Sequence, residues 1–488
     1  MQIDFHKLIE LFRYHAGDLL LINSGFFLFL FTAFMGVYCL IYRRELLRTW
    51  FVIAFSLFFY YKSNGIYLGL LIFVCVLDYN IGKRLHAAQE KRRRLTLLLI
   101  SVFSNLGMLA YFKYTNFLTA AFCDMFSRPF SGFNIFLPVG ISFFTFQSLS
   151  YIIDLYRRNT EPARSFGEYA FYLTFFPRIM AGPIVRAGDF LPQIRQTPFV
   201  SKEDFGKAVF LIGTGLFKKA IISDYISLNF VDRIFDSPTL YTGLENLFGV
   251  YGYTLQIYCD FSGCTDMALG IALLMGFKLP INFDSPYQSG SITEFWRRWH
   301  ITLSSWLRDY LYISLGGNRK GKLRMYFNLL ITMVLGGLWH GAALRYIIWG
   351  TLHGTALVVE KFVKSLVKIN GNRLTHIISV MLTFHFVAFC WIFFRADNMS
   401  IAGEILQQIG TAFHSEIFFD FVKGYSFVLA LMATGYILHF LPRSSENYVQ
   451  KRFIGTPLVV KICYIVIIIF AVIQMKSSEI QPFIYFQY

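Results

Sequence analysis

Long apolar runs separated by short polar stretches dominate both ends of this sequence, and they predict helices that cross a membrane. A crossing helix needs about 20 consecutive apolar residues. Single runs occur at 24–42 and 95–112, and two shorter runs, 50–61 and 65–79, are joined by a polar turn that predicts a tight hairpin of two crossings. Cleaner runs return later in the chain, at 323–362, 377–396, 425–441 and 458–475. We therefore expect an all-α, polytopic transmembrane helical bundle with about eleven crossings.

The middle of the chain departs from this regular pattern. Pro, Gly, Asp, Arg and Gln lie inside the apolar segments 137–156, 168–186, 207–234 and 245–277. Lipid tolerates neither loose backbone nor stray charge, so such segments must face protein or water. They predict broken or re-entrant helices that form a central funnel.

The sequence shows no internal repeat, low-complexity tract or loop large enough for a soluble domain. We therefore expect one membrane domain over residues 1–488. Its parts would be N-terminal spans (1–136), a core (137–362) and C-terminal spans (363–488). Residues 1–18 do not resemble a cleavable signal peptide, so the first long apolar run is expected to remain as a span.

Composition supports a membrane protein and excludes an ordinary soluble domain. The chain is 56% hydrophobic and 15% charged, with a mean hydropathy of +0.51, whereas soluble domains carry about 25% charged residues. The net charge of +16 could indicate nucleic-acid binding, but the basic residues cluster beside apolar runs, as they do in cytoplasmic loops. The clusters at 43–48 and 83–94 place those loops in the cytoplasm and the N-terminus outside. The seven Cys form no CxxC pair, so neither disulfides nor a zinc site is expected.

Four stretches of the central part carry most of the polar residues. They are FFPRIMAGPIVR (175–186), QIYCDFSGCTDMALG (256–270), EFWRRWHITLSSWLRDYLYISLGGNRKGK (294–322) and GGLWHGAALRYIIWG (336–350). The third stretch, taken as one helix over 294–313, brings Arg297, Ser304 and Arg308 within about 40° of one another. Such an amphipathic helix could lie in the membrane interface or line an aqueous funnel. The pair Gly316-Gly317 predicts its end.

Ionisable residues inside apolar runs indicate either a functional site or an internal ion pair. Asp260 and Asp266 lie in the second stretch, and pairing with an arginine for structural reasons is an alternative to substrate binding. Arg178, in the first stretch, has two interpretations as well, an interface anchor or a site residue.

His340 is the most unusual of these residues. It lies close to Gly336, Gly337 and Gly341, so another backbone or a substrate can approach it closely. An imidazole has an ordinary pKa of about 6.5 and can accept a proton without a charge being buried at rest. His353 would project about 140° away from His340 on a straight helix, which argues against one metal site for the pair.

Two stretches together resemble the signature region of the membrane-bound O-acyltransferase family. They are RRWHITLSSWLRDYLYISLGGNR (297–319) and LGGLWHGAALRYIIWGTLHG (335–354). FFPRIMAGPIVR and CDFSGCTDMALGIALLMGF are similar to the same family in the same order, as are FCWIFFRADNMSIAGEIL (389–406) and the ending PFIYFQY (482–488). The resemblance is closest to the bacterial branch that acts in alginate O-acetylation and in D-alanyl transfer to teichoic acids. It covers nearly the whole chain, and Cys264, where an aromatic residue is expected, is a small departure.

The resemblance implies transfer of an acyl group onto a hydroxyl by a multi-pass protein of the bacterial inner membrane. The family's invariant histidine maps onto His340, and its second histidine maps onto His300. The bacterial branch is thought to take acyl groups from the cytoplasm and to deliver them to an extracytoplasmic polysaccharide or a periplasmic partner protein. No tightly bound cofactor and no metal are expected. The acyl donor would be a thioester, either acyl-CoA or an acyl carrier protein, and acetyl is the first expectation for the acyl group.

This chemistry needs a base more than an acid. A sugar hydroxyl must lose its proton as it attacks, whereas a thiolate, with a pKa of about 8.5, leaves readily. One histidine acting as general base supplies a factor of about 10² to 10⁴ in rate, and we assign that role to His340. The oxyanion needs hydrogen-bond donors, for which His300, Ser304, Arg308 and backbone amides are all candidates. A covalent intermediate on a serine such as Ser262 is an alternative, against which the family resemblance argues.

The candidate site therefore has two catalytic residues, His340 and His300. The candidate substrate-binding residues, in chain order, are Arg178, Asp260, Asp266, Arg297, Ser304, Arg308, Asp309 and Trp339. Basic residues at 319, 320, 322 and 324 could receive a phosphate-bearing donor or an acidic carrier protein, or could anchor the chain at the cytoplasmic surface. Two rival functions stay open at this point: a transporter or flippase, and a non-catalytic scaffold for a periplasmic transferase.

Overall fold

The computed structural model describes residues 10–15, 20–179, 182–367 and 372–475. Helices contain 79% of the chain, and no strand occurs in the described ranges, which confirms the all-α prediction. The chain divides into two compact units, Met1–Ser201 with Ile271–Leu279 and Lys202–Gly270 with Pro280–Tyr488. The ending PFIYFQY and two residues of FFPRIMAGPIVR, Met180 and Ala181, lie outside the described residues.

The first unit is built from helices of very different length. They are α1 (Gly25–Ile41), α2 (Glu45–Asn64), α3 (Leu68–Ala87), α4 (Lys91–Met125), α5 (Ile141–Arg157), α6 (Phe166–Thr174), α7 (Phe176–Ile179) and α8 (Ala187–Ile194). Helix α2 is followed by Gly65, where the sequence predicts the turn of a hairpin, but Glu45–Ala87 counts as one candidate span and the two crossings are not confirmed. The φ of Gly65, 53°, lies in the left-handed region that glycine adopts without steric cost.

Hydrogen bonds to one buried carboxylate, that of Asp78 in α3, connect α3 to α4 and α5. The carboxylate oxygens accept hydrogen bonds from Ser101 Oγ at 2.6 Å, Asn105 Nδ2 at 2.7 Å and Ser148 Oγ at 2.5 Å. The hydroxyl oxygens of Ser148 and Tyr169 are 2.7 Å apart, which extends the network to α6. Asp78 is fully buried, so these donors replace the water that a carboxylate otherwise requires.

Two arginines of the predicted cytoplasmic clusters are buried. Arg48 donates hydrogen bonds to the carbonyl oxygens of Ile194 and Gln196 at the end of α8, and Arg94 donates to the carbonyl oxygen of Tyr156 near the end of α5. The last carbonyl groups of a helix have no partner within the helix and carry partial negative charge. These two arginines therefore satisfy helix ends inside the protein.

The second unit contains the larger part of the chain. Its principal helices are α9 (Lys202–Leu216), α10 (Gly243–Leu274), α11 (Ile292–Arg298), α12 (Ile301–Trp306), α13 (Lys322–His340), α14 (Leu344–Leu366), α15 (Arg373–Arg395), α16 (Met399–Thr411), α17 (Phe418–Gly424), α18 (Ser426–Phe440), α19 (Arg443–Ile454) and α20 (Leu458–Met475). Phe217–Ser223, Ser227–Val231 and Leu307–Tyr312 are wound as π-helices. The π-helix is rare and is found frequently at functional sites.

The four central segments predicted to be broken have different outcomes. Segment 168–186 is divided between α6 and α7, and segment 207–234 changes from α-helix to π-helix. The prediction is wrong for 137–156 and 245–277, most of which lies in the unbroken helices α5 and α10. Partners in the protein, such as the Tyr172 carbonyl for Gln147 and Lys219 for Asp260, satisfy some of the polar residues of these two helices without a break in the backbone.

Five helical segments of the described part are long and apolar enough to cross a membrane: Glu45–Ala87, which comprises α2 and α3, and the helices α4, α10, α15 and α20. A sixth candidate arises if the segments Ser415–Gly424 and Ser426–Phe440, bent by 92°, count as one span. The structure therefore supports a multi-pass membrane protein and does not confirm eleven crossings. Apolar helices such as α1 and α5, with 17 residues each, are shorter than a full crossing of about 20 residues.

We predict that Asp78→Ala lowers the free energy of unfolding by about 2–4 kcal/mol, because it leaves buried donors without their acceptor. Size-exclusion chromatography of the purified protein after stepwise heating measures the loss. Asp78→Asn keeps one acceptor oxygen and should lose less. Asn80→Ala is the matched control, because Asn80 is exposed on the same helix and donates to the Val76 carbonyl. Equal stability of Asp78→Ala and Asn80→Ala would contradict the role of the carboxylate.

Candidate functional site

His340 is the last residue of α13, and the chain turns over the next three residues before α14 begins. Close packing of α13 on α14 depends on glycine. A Cβ on Gly337 would overlap the carbonyl oxygen of Tyr346, and a Cβ on Gly350 would overlap that of Met333. The apolar run 323–362 is therefore two tightly packed helices, and the imidazole of His340 lies where they join.

Aromatic rings surround the imidazole of His340, which is 4% exposed. Its centroid lies 4.9 Å from that of Trp339, 5.1 Å from that of Trp349 in α14 and 5.2 Å from that of Phe394 in α15. All three contacts are edge-on, an arrangement that aromatic rings favour. The packing therefore holds the imidazole in a defined orientation, which a catalytic group requires.

His300 lies at a break between α11 and α12, with a φ of 42° that non-glycine residues rarely adopt. Backbone hydrogen bonds to an upstream segment replace those of a continuous helix. The N–H of Ile301 donates to the Asn282 carbonyl at 2.9 Å, and the N–H of Asp284 donates to the Arg298 carbonyl at 3.0 Å. The prediction of one helix over 294–313 is therefore wrong, because these tertiary hydrogen bonds interrupt it.

The indole of Trp339 contacts both histidines that the sequence assigns as catalytic. Its centroid lies 6.2 Å from the ring of His300 and 4.9 Å from the ring of His340. Phe261 of α10 packs edge-on against His300 at 4.6 Å. The break between α11 and α12 and the end of α13 thus bring the two imidazoles to one aromatic neighbour.

A third imidazole, that of His353, belongs to the same aromatic cluster. Its centroid lies 4.9 Å from that of Trp349 and 5.2 Å from that of Trp296. The sequence argument that His340 and His353 point apart assumed one straight helix, which is wrong because the chain turns between them; both rings contact Trp349. Among the residues that the structure describes, no group of three or more His, Cys, Asp or Glu could hold a metal ion.

The polar residues predicted to share one helix face are separated by the break at His300. Arg297 is exposed in the last turn of α11, whereas Ser304 lies in α12 and donates to the Trp299 carbonyl at 3.1 Å. Arg308 is exposed in the π-helix that follows and donates to both carboxylate oxygens of Asp309, at 2.6 and 3.0 Å. Ser304 therefore supports the break, and Arg308 and Asp309 neutralise each other.

Lysines of the π-helix that follows α9 pair with Asp260 and Asp266 of α10. Lys219 Nζ lies 2.5 Å from Asp260 Oδ1 and 2.7 Å from Asp224 Oδ1. Lys218 Nζ lies 2.8 Å from Asp266 Oδ2. Lys219 and Asp260 are both almost fully buried. The structure thus contains the internal ion pairs that the sequence left open, with lysine in place of the expected arginine.

Sequence reasoning did not single out Lys218 and Lys219. A usable signal was present, because two consecutive cations inside the apolar segment 207–234 must face protein or water. No such signal identified Trp349 and Phe394 as neighbours of His340, since aromatic residues are frequent throughout this chain.

Arg178 lies in the first unit, in the short helix α7, and is 2% exposed. Its guanidinium carbon lies 4.9 Å from the ring centroid of Tyr172 and 5.1 Å from that of Phe190. None of its three side-chain nitrogens has a hydrogen-bond partner among the described residues. Aromatic faces attract a cation but do not accept its hydrogen bonds as a carboxylate or phosphate does. The guanidinium therefore keeps its capacity to donate hydrogen bonds.

Four exposed basic residues lie at the start of α13 or just before it: Arg319, Lys320, Lys322 and Arg324. Gly316 and Gly317, with φ of 107° and 55°, lie in the turn between the preceding π-helix and α13, where the sequence predicts a stop. Asn328 Nδ2 donates to the Gly317 carbonyl at 2.9 Å and fastens the turn to α13. The exposed cations thus lie at the start of the helix that ends in His340.

Comparison with known proteins identifies the chain. Residues 163–397 match the membrane-bound O-acyltransferase family. A probable alginate O-acetylase AlgI of Pseudomonas syringae pv. tomato is 42% identical over 78% of this chain and 74% of its own length. A peptidoglycan O-acetyltransferase of Helicobacter pylori is 34% identical over 95% of this chain and 91% of its own length. The chain belongs to the membrane-bound O-acyltransferase family.

The family match extends to a relative that transfers a different acyl group. A teichoic acid D-alanyltransferase of Bacillus subtilis is 32% identical over 52% of this chain and 68% of its own length. Residues 163–397, which match the family, contain Arg178, His300 and His340. The protein is therefore an acyltransferase and a multi-pass membrane protein.

We predict that Lys219→Met lowers the free energy of unfolding by about 3–5 kcal/mol, because the variant leaves buried carboxylates without their cation. The double variant Lys219→Met with Asp260→Asn should recover part of the loss. Thermal unfolding measures the stability of the single and the double variant. Lys364→Met serves as the control, since Lys364 forms an exposed pair with Glu360 at 2.6 Å and such pairs contribute less than about 1 kcal/mol. A Lys219→Met variant as stable as Lys364→Met would show that the buried pair does not stabilise the second unit.

Proposed function

We propose that this acyltransferase transfers an acetyl group from a cytoplasmic thioester to a hydroxyl of an extracytoplasmic polysaccharide, directly or through a periplasmic partner protein. The observation that carries the proposal is the placement of His300 and His340 against one indole, that of Trp339, within the family region. Relatives that cover most of the chain are named for O-acetylation of alginate and of peptidoglycan. Those names favour acetyl over D-alanyl and a polysaccharide as the acceptor. The donor would be acetyl-CoA or an acetylated carrier protein.

His340 acts as the general base in the proposed reaction. The acceptor oxygen attacks the thioester carbonyl carbon while His340 takes the hydroxyl proton, and the carbonyl oxygen becomes an oxyanion. Collapse of the tetrahedral intermediate restores the carbonyl group and breaks the carbon–sulfur bond. The leaving thiolate then receives a proton from the imidazolium. Aromatic contacts on three sides suit this role, because a base must be held in register with the hydroxyl that it deprotonates.

His300 is our choice among the candidate donors to the oxyanion. The hydroxyl of Ser304 already donates to the Trp299 carbonyl, and the guanidinium of Arg308 already donates to Asp309. His300 is fully buried, contacts the same indole as the base and has a backbone conformation of the kind that clusters at active sites. A ring N–H of His300 would donate to the oxyanion as it forms.

The enzyme would reside in the inner membrane of a bacterial cell, and the donor would approach it from the cytoplasm. We propose that the basic residues at 319–324 receive its phosphate groups or the acidic surface of a carrier protein. Arg297 and Trp339 would contact substrate along a central funnel. The shorter apolar helices would cross the membrane as well and bring the number of crossings to about eleven. Asp260 and Asp266 would position α10 through their lysine partners.

Arg178 is the proposed binding residue for an anionic group of the substrate, such as a phosphate of the donor. Its buried guanidinium lies on aromatic faces and has no hydrogen-bond partner in the described part of the chain. A planar guanidinium matches the oxygens of a phosphate or carboxylate in two parallel hydrogen bonds. A substrate anion would supply a countercharge that the described residues do not supply.

We predict that His340→Phe abolishes acetylation without unfolding the protein. Phenylalanine keeps the contacts with the surrounding rings but accepts no proton, so the rate should fall by about 10² or more. The measurement is base-labile acetate released from cell-surface glycans, identified by mass spectrometry, at matched membrane levels of wild type, His340→Phe and the control His414→Ala. His414 is exposed and distant in sequence from the site. Unchanged acetate in His340→Phe would remove the base assignment and leave the imidazole with a packing role.

Arg178→Met should inactivate the enzyme without destabilising it. Removing an unpaired buried charge is neutral or stabilising for the fold, whereas the loss of charge-assisted hydrogen bonds to substrate should lower acetylation about tenfold or more. The matched control is Arg48→Met, because Arg48 is buried in the same unit and donates to main-chain carbonyl groups. That variant should unfold at a lower temperature. Retained acetylation together with a lower unfolding temperature in Arg178→Met would make Arg178 a structural residue.

A further inference from the structure

A cavity of about 880 Å³ lies within the second unit, separate from the histidine site. Helices α10, α15, α17 and α18 form its walls, and two of them, α10 and α15, are candidate membrane spans. The lining is almost entirely apolar, and its central residues are Tyr251, Phe384, His385, Met432, Ala433 and Tyr436. The cavity therefore lies beside two helices that are long and apolar enough to cross a membrane.

The chain bends by 92° before α18, and residues on both sides of the bend line the cavity. Three aromatic rings of the wall pack against one another, with centroids 6.0 Å apart for Tyr251 and Phe384 and 5.8 Å apart for Phe384 and Tyr436. The Tyr436 hydroxyl donates to the Tyr251 carbonyl at 2.8 Å. Because its hydroxyl is satisfied inside the protein, Tyr436 presents chiefly its apolar ring to the cavity.

The size and chemistry of the cavity select its occupant. Water does not stably fill a cavity that offers so few polar partners. A transmembrane helix of a partner protein, about 10 Å wide and 30 Å long, occupies more than about 2,000 Å³ and would not fit. A volume of about 880 Å³ falls within the range of about 300–1,000 Å³ of sites for small molecules. A hydrocarbon chain fits both the volume and the apolar walls.

The polar groups of α15 indicate how such a chain would enter. His376 and His385 both line the cavity, and nine residues separate them by about 14 Å along the helix axis. His376 lies one turn from the start of α15, beside the exposed Arg373, where a phosphate group would meet a cation. His385 lies halfway along the helix, and its Nδ1 donates to the Met381 carbonyl at 2.7 Å. The cavity thus extends from a helix end toward the middle of a span.

We propose that this cavity binds a membrane phospholipid, with its headgroup at the Arg373 end of α15 and one acyl chain between α15 and α18. The acyl chain would complete the packing beside the bend before α18. This lipid site is separate from acyl transfer and does not depend on the assignment of His340.

Photolabelling tests the proposal. The full-length protein is reconstituted in vesicles of phosphatidylethanolamine and phosphatidylglycerol that contain a phosphatidylethanolamine with a diazirine in one acyl chain. Extraction into detergent before illumination removes loosely bound lipid, and mass spectrometry then maps the labelled peptides. We expect label in 376–385 and 429–440. Ala433 lies at an exposed position of the cavity wall. The indole of Ala433→Trp would displace two or more methylene groups of the bound acyl chain from the cavity, so this variant should lower the label about tenfold or more.

Leu438→Trp is the matched control, because Leu438 is exposed on the opposite face of α18 and should leave the label unchanged. Met381→Trp, on the facing helix, is an independent second variant that should act as Ala433→Trp does. Size-exclusion profiles establish that all variants are folded, and His340→Phe should label as the wild type does. The proposal would be overturned if the exposed face of α20 carried as much label as the cavity peptides, or if neither cavity variant lowered the label. So would recovery of a polyprenyl lipid or a second protein chain at these peptides.

Discussion

Every polar group that this chain places at membrane depth must find its partner within the protein, because lipid offers none. The carboxylate of Asp78 accepts hydrogen bonds from three side chains, and the carboxylate of Asp260 lies against Lys219. Arg48 and Arg94 donate to carbonyl groups at helix ends. These internal partners allow α5 and α10 to run unbroken through polar sequence, and they set which helices can be neighbours within each unit.

Arg178 is the clearest departure from that rule. Its guanidinium is buried on two aromatic faces without a hydrogen-bond acceptor in the described residues. An unpaired buried charge destabilises a protein, so its presence is understandable where a substrate supplies the missing anion. Proteins accept such local costs at functional sites, where an arrangement that binds substrate conflicts with the most stable packing.

Several backbone irregularities of the second unit lie next to the two histidines. His300 has a left-handed conformation at a break, a π-helix follows at Leu307–Tyr312, and the chain reverses directly after His340. A regular helix would have carried these side chains to positions set by its own period. The interruptions bring both imidazoles to the indole of Trp339, while the aromatic rings of α14 and α15 restrict the orientation of His340. The site is thus built from interrupted helices supported by continuous ones.

Motifs and hydropathy predicted the helical class, the multi-pass membrane character and the family, because apolar runs and short ordered motifs are local features of a chain. The stop at Gly316 and Gly317 was predictable for the same reason. The break at His300 was not, because backbone hydrogen bonds with Asn282 and Asp284 interrupt a segment whose own residues favour a helix. Likewise, the carboxylates of α10 were visible in the sequence, but their lysine partners belong to a different helix. Where a partner lies far away in the chain, only folding decides which groups meet.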